Sequence, residues 1–197
     1  MEKLVLASGN QGKLRELSTL LEALGYQVCS QASLGVPEVP ETGTTFVENA
    51  IIKARNAAQY SGLAALADDS GIEVDALDGA PGVYSARFSG ADASAEENNA
   101  LLVEKLRDVP APKRTARYRA VIVHMRHAAD PSPIICEGSW EGLIQLEPKG
   151  DGGFGYDPYF FLPLNGCTSA ELSAIEKNQL SHRGQALRQL VGRLKGE

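Results

Sequence analysis

The spacing of apolar residues changes along this chain, and the order of that change limits the folds it can adopt. Leu4–Ala7 is a short apolar run that breaks at Ser8-Gly9-Asn10-Gln11-Gly12, as a strand followed by a tight turn does. Leu14, Leu17, Leu20, Leu21 and Leu24 then recur at helical spacing, and Gly25 stops that helix. Tyr26–Ser30 is a second strand, followed by a Pro/Gly-rich loop from Gly35 to Gly43. Thr45-Phe46-Val47-Glu48 has the S/T-x-x-E form of a capping box, and a stripe of Ala50, Ile51, Ala54, Ala57 and Ala58 predicts a helix to about Ser61, closed by Gly62. Leu63–Ala67 predicts a buried strand that stops at Asp68-Asp69-Ser70-Gly71, and Ser94-Ala95-Glu96-Glu97 opens another capped helix to about Leu106.

Extended runs then dominate. Arg117–Met125, Ile134–Trp140 and Leu143–Glu147 are separated by the turn formers Asp130-Pro131 and Glu141-Gly142, and Tyr159–Leu162 follows a glycine-rich stretch. A last helix carries Ala186, Leu187, Leu190, Val191 and Leu194 on one face. Helices that alternate with strands early, and hairpins late, predict an α/β fold with a mixed sheet flanked by helices, not a pure doubly wound one.

At 197 residues the leading expectation is one domain over 1–197, large enough to stay folded without a disulfide or metal staple. The formal net charge of −6 argues against a general nucleic-acid binder, which needs a basic face to displace counterions. Nothing approaches the roughly 18 consecutive apolar residues of a membrane span, and the start MEKLVLASGN lacks a signal-peptide core. Cys29, Cys136 and Cys167 have no CxxC spacing and read as thiols in a reducing compartment, so a cytoplasmic location is expected.

Four segments could carry chemistry. Ser8-Gly9-Asn10-Gln11-Gly12-Lys13 would set free backbone N–H groups and a cation at the positive end of a helix, which suits an oligophosphate. A plain strand–turn–helix with a solvated lysine fits equally, and the Walker A spacing is missing. Asp68-Asp69-Ser70-Gly71 places two carboxylates past a buried strand, a common way to hold Mg²⁺. A polar turn is the alternative, although it needs no adjacent, mutually repelling aspartates.

Gly150-Asp151-Gly152-Gly153-Phe154-Gly155 spells GxGxxG but leads into Tyr156-Asp157-Pro158-Tyr159-Phe160-Phe161 instead of a helix, so a dinucleotide site is rejected. What remains is a glycine-rich backbone beside Phe154 and Tyr156, either an aromatic wall for a base or ordinary core, with Asp157 next to it. Lys177 and Ser181-His182-Arg183 cluster ahead of the last helix and could hold a phosphate or a 6-keto oxygen. Lys53 on the capped helix and Glu41 in the loop before it are, by themselves, ordinary surface residues. His124 and His127 read as structural.

Together these pieces resemble the inosine/xanthosine triphosphate pyrophosphatases, specifically the bacterial dITP/XTP pyrophosphatase type. The matching segments are SGNQGK (8–13), ETGTTFVENAIIK (41–53), ADDSG (67–71), GAPGVYSARFS (79–89), GGFGYDP (152–158) and EKNQLSHRGQA (176–186). The resemblance implies an elongated mixed sheet with two lobes and a central cleft, a homodimer, and Mg²⁺-dependent conversion of a purine nucleoside triphosphate to monophosphate and pyrophosphate. It further implies that Ser8, Gly9, Asn10, Gln11, Gly12 and Lys13 bind the triphosphate and that Lys53 adds positive charge. Asp69 would be general base and metal ligand, with Glu41 a second ligand. Ser70, Phe154, Gly155, Tyr156, Asp157, Lys177, His182 and Arg183 would hold the nucleotide. Position 8 is serine where threonine is also familiar, and both offer a hydroxyl.

Three other classes are open: a Maf-like enzyme for modified pyrimidines, a non-catalytic nucleotide-binding module, and a general interaction domain. The simultaneous presence of Lys13, Lys53, Asp69 and Lys177 speaks against the last two.

Overall fold

In a computed structural model the described residues are 2–9 and 11–196. Asn10 therefore lies outside them, as do the side chains of Gln11, Arg15, Glu16, Thr19 and Leu20. The elements run β1 (Glu2–Ala7), α1 (Gln11–Ala23), β2 (Tyr26–Ser30), α2 (Phe46–Ser61), β3 (Ala64–Val74), α3 (Ala95–Leu106), β4 (Thr115–Met125), β5 (Ile134–Ile144), β6 (Phe160–Leu162), β7 (Cys167–Thr168), α4 (Ala174–Leu180) and α5 (His182–Lys195).

The strands form one mixed sheet in the order β2-β1-β3-β4-β5-β6-β7. β1 pairs parallel with β2 and β3, as strand–helix–strand connections require, while β5–β6 and β6–β7 pair antiparallel. None of the described helices is long and apolar enough to cross a membrane.

The chain divides into two compact units. The first comprises Met1–Asp69, Val121–Glu137 and Ala186–Glu197. Its buried residues include Leu4, Val5 and Leu6 of β1, Leu17 and Leu21 of α1, Ala50, Ala54 and Ala57 of α2, and Leu187 and Leu190 of α5. The second comprises Ser70–Ala120 and Gly138–Gln185. Its core joins Ile72, Val74, Leu102, Leu106, Tyr118, Trp140, Ile144, Tyr156, Phe160 and Leu162.

Three sequence expectations are corrected. The strand predicted to end at Ala67 continues to Val74, so Asp68 and Asp69 lie inside β3, not in a turn. Turn-forming composition loses here to strand pairing on a buried sheet. The turn expected at Glu141-Gly142 is absent, and β5 runs unbroken through both residues. A Cβ at Gly142 would lie 2.6 Å from the Phe160 ring, so this glycine marks a close approach between neighbouring strands and not a turn. The third correction is α4, a helix that was not expected. Ser173 and Glu176 form its capping box, a signal of the same S/T-x-x-E form as the two recognised earlier.

His124 on β4 is 6% exposed, and neither ring nitrogen has a hydrogen-bond partner among the described residues. Burial depresses its pKa, with Glu2 and Asp130 opposing that shift and Arg126 reinforcing it. The unfolded chain therefore takes up this proton more readily than the folded one. Stability is retained above the ordinary histidine pKa of about 6.5 and is lost as pH falls below it. We predict that the melting temperature declines between pH 7.5 and 5.5 and that His124→Phe flattens that decline. An unchanged slope in the variant would assign the effect to other groups.

Candidate active site

In the first unit the site is built where β3 meets two helices. Successive residues of a strand point to opposite faces, and each of the two aspartates meets its own lysine. Lys13, in the first turn of α1, reaches Asp68 with Nζ 2.5 Å from Oδ2, and the Asp68 side chain is fully buried. Lys53 of α2 donates to Asp69 Oδ1 at 2.7 Å, to Glu41 Oε1 at 2.9 Å and to the Asp68 carbonyl at 3.1 Å.

Local sequence explains why Lys53 arrives there. Thr45 and Glu48 close a complete capping box that fixes where α2 begins. Three residues after buried Ala50 and one before buried Ala54, Lys53 flanks the small-residue face that packs into the core. The loop that carries Glu41 is tied to the same helix, since the Gly43 N–H donates to Asn49 Oδ1 at 2.8 Å and Asn56 Nδ2 donates to the Pro37 carbonyl at 2.8 Å. Both residues that sequence alone left on the surface are thereby drawn into one ion network.

Its electrostatics are unbalanced. Burial opposes the charge on Lys53, but Asp69 and Glu41 outweigh it and hold the ammonium's pKa above the ordinary lysine value. Burial raises the Asp69 carboxyl above the usual carboxylate range, against the pull of Lys53, and Glu41 adds like-charge repulsion. Burial therefore prevails at Asp69, where Lys13 also pulls against it, whereas the two carboxylates prevail over burial at Lys53. The surplus negative charge and the hard oxygen donors suit Mg²⁺, which takes one or two protein carboxylates and leaves its other positions to water and phosphate. Asp69 and Glu41, which share Lys53, are the carboxylates that could hold such an ion; among the described residues no group of three or more His, Cys, Asp or Glu gathers.

β1 ends at Ala7 and α1 begins at Gln11, and the turn expected between them includes Asn10, which lies outside the described residues. The first N–H groups of such a helix have no intrahelical acceptor and favour an anion. Ser8 and Gly9 follow β1, and Gln11 and Gly12 open α1.

The second unit holds the remaining candidates. Phe154 is 45% exposed, with Lys177 Nζ 5.0 Å and Arg183 Cζ 5.8 Å from its ring centre. Its loop is pinned by the Gly152 N–H to the Ala170 carbonyl at 3.0 Å and by Asn99 Nδ2 to the Gly155 carbonyl at 2.9 Å. Arg183 also donates to Ser70 Oγ at 3.1 Å. Lys177 sits on α4, whereas His182 and Arg183 lie in the first turn of α5 and not ahead of it.

Two side chains of this segment turn inward. Of the two readings left open for Tyr156, the structure favours ordinary core: its ring is buried, and its hydroxyl donates to the Ser85 carbonyl at 2.7 Å. Asp157 is 2% exposed and accepts from Lys177 at 2.5 Å, the Phe154 N–H at 2.7 Å, Ser169 at 2.8 Å and Tyr118 at 3.2 Å. It holds the platform together from beneath. Asn99 and Tyr118 did not stand out in the sequence because their importance lies in what they touch, whereas the DD pair already signalled Asp68.

His182 is buried and stacks on Tyr118, with ring centres 4.7 Å apart and planes 9° from parallel. Gly138 makes room for this, since a Cβ there would collide with the His182 carbonyl. We predict that Gly138→Ala displaces the start of α5 and raises the KM for substrate about tenfold or more, because small misplacements of positioning groups are costly. Wild-type KM in a folded Gly138→Ala protein would contradict this.

The chain is similar to known proteins along nearly its whole length. The chain is 59% identical over 194 residues to a dITP/XTP pyrophosphatase of Thioalkalivibrio sulfidiphilus, covering 98% of this chain and 99% of that protein. It is 57% identical over 195 residues to a dITP/XTP pyrophosphatase of Vibrio vulnificus, covering 99% and 98%. The solved structure of a HAM1 protein from Coxiella burnetii superposes with a TM-score of 0.94 at 49% identity over the whole of both chains. The model of the Ham1 family matches residues 4–193, a span that takes in both lysine–carboxylate pairs and the Phe154 platform, and the chain belongs to that family.

Proposed function

We propose that this protein hydrolyses the non-canonical purine triphosphates ITP, dITP and XTP to the monophosphate and pyrophosphate, which would keep deaminated purines out of nucleic acid. The observation that carries the reading is Lys53 shared between Glu41 and Asp69, next along β3 to the Lys13–Asp68 pair. Near-full-length relatives named for this activity support it.

Attack on the α-phosphorus needs charge neutralisation, an aligned water and a stabilised leaving group, and such chemistry is mostly positioning and electrostatics. Lys13 and Lys53 supply fixed positive charge to the triphosphate, assisted by backbone N–H groups of 8–13. Asp69 orients the water and accepts its proton as the α–β anhydride bond breaks and pyrophosphate leaves. Mg²⁺, held by Asp69 and Glu41, would supply further neutralisation of the phosphate oxygens when bound.

Phe154 offers a face for the base, and Lys177, His182 and Arg183 supply donors. Inosine and xanthosine present O6 as an acceptor where adenosine presents an amine, so a donor site meets adenosine donor against donor. Mispaired buried polar groups can discriminate by about 10⁴–10⁵-fold. A homodimer in the cytoplasm belongs to the same proposal.

The test is pyrophosphate release from ITP, XTP, GTP, ATP and pyrimidine triphosphates, with and without Mg²⁺. Fast Mg²⁺-dependent release from ITP and XTP alone is the expected result. Preference for pyrimidines would favour the Maf-like reading, and binding without release a non-catalytic module.

A further inference from the structure

Asp157 divides its two carboxylate oxygens between different tasks. Oδ2 faces the candidate base platform, taking the Phe154 N–H and the Lys177 ammonium. Oδ1 faces inward, taking the hydroxyls of Ser169 and Tyr118. Tyr118 is itself locked in place by Phe160 at 4.6 Å between ring centres and by Trp140 at 6.5 Å. It carries His182 in a near-parallel stack, with the Trp140 ring farther from the same imidazole at 6.4 Å. One buried side chain therefore touches both the histidine and the carboxylate that holds the lysine.

Packing alone does not call for this residue. A phenylalanine would fill the same space, and a hydroxyl taken into an apolar core costs stability unless it finds an acceptor. Tyr118 finds that acceptor in Asp157, with its own ionisation suppressed by burial and by the neighbouring carboxylate, so that it acts as a donor. The other donor to Oδ1, Ser169, is 1% exposed and is likewise fixed.

We propose that Tyr118 is a positioning residue for base discrimination: its ring sets the plane of His182 while its hydroxyl, with Ser169, sets the carboxylate that aims Lys177. It touches no substrate. This rests on the functional reading above and adds to it the frame that keeps two recognition groups in mutual register. A hydrogen bond to a charged group typically shifts an equilibrium about tenfold, which sets the expected size of the effect.

The experiment compares Tyr118→Phe and Ser169→Ala with the unmodified protein in steady-state pyrophosphate release from ITP and ATP. The expected result is a KM for ITP raised about tenfold at nearly constant kcat, with the ITP-to-ATP ratio of kcat/KM falling in both variants. A purely structural role would lower the active fraction and hence kcat for both substrates equally, leaving KM and that ratio unchanged, and would overturn the proposal. Should Tyr118→Phe fail to fold, Ser169→Ala decides by the same criterion. Absence of ITP hydrolysis by the unmodified protein defeats the underlying functional reading. ITP hydrolysis with unchanged KM and ratio in the variants defeats the positioning role alone.

Discussion

Replacing Asp69 by asparagine is expected to abolish turnover while leaving the fold in place. The amide is nearly isosteric and stays inside β3, so the strand keeps its pairing. Lys53 does not lose its last carboxylate, because Glu41 still accepts from it at 2.9 Å. The exchange also removes a carboxylate whose ionisation burial already disfavours. What the amide cannot do is take a proton from water or contribute anionic charge to a metal. Loss of general-base assistance lowers rates by about 10²–10⁴-fold, and loss of a metal ligand adds to that. Pyrophosphate release from ITP, measured beside thermal unfolding, checks both halves of the expectation. Turnover like that of the unmodified protein would remove Asp69 from the chemistry.

The second large effect falls on stability as well as on activity. Lys13→Met keeps the aliphatic stem but deletes the ammonium that neutralises Asp68, whose side chain is fully buried. Removing one partner of a buried pair costs about 3–5 kcal/mol, which for a chain of this size lowers the melting temperature by roughly 10 °C. The double variant Lys13→Met/Asp68→Asn removes both charges and is expected to recover most of that loss. Activity should not recover, since the cation proposed to face the triphosphate is still missing. Thermal unfolding of the single and double variants with pyrophosphate release measured on each separates the two roles of Lys13. If the double variant is as unstable as the single one, the ion pair is not the source of the destabilisation.

Local signals in the sequence were reliable where local physics decides the outcome. The capping boxes at Thr45–Glu48 and Ser94–Glu97 start helices where their S/T-x-x-E pattern places them, because the hydrogen bonds they require lie within one turn. The same pattern at Ser173–Glu176 was legible too, but it opens a seven-residue helix with no buried residue, and without an apolar stripe it did not stand out. Composition misled at Asp68-Asp69-Ser70-Gly71 and at Glu141-Gly142. Turn-forming residues ended the expected strand at the first and gave an expected turn at the second, while strand pairing and, at Gly142, the Phe160 ring on the next strand decided otherwise.

By itself the sequence determined the class of fold, the capped helices and the residue types available for phosphate chemistry, since each depends on spacing within a few residues. Only the tertiary structure decided that Lys53 bridges Glu41 and Asp69, that Tyr156 belongs to the core and that Asp157 is a buried anchor with Tyr118 behind it. Those assignments turn on burial and on partners 12 to 71 positions away in the chain. A charged or aromatic side chain has no fixed role until folding sets the water it loses and the groups that replace that water.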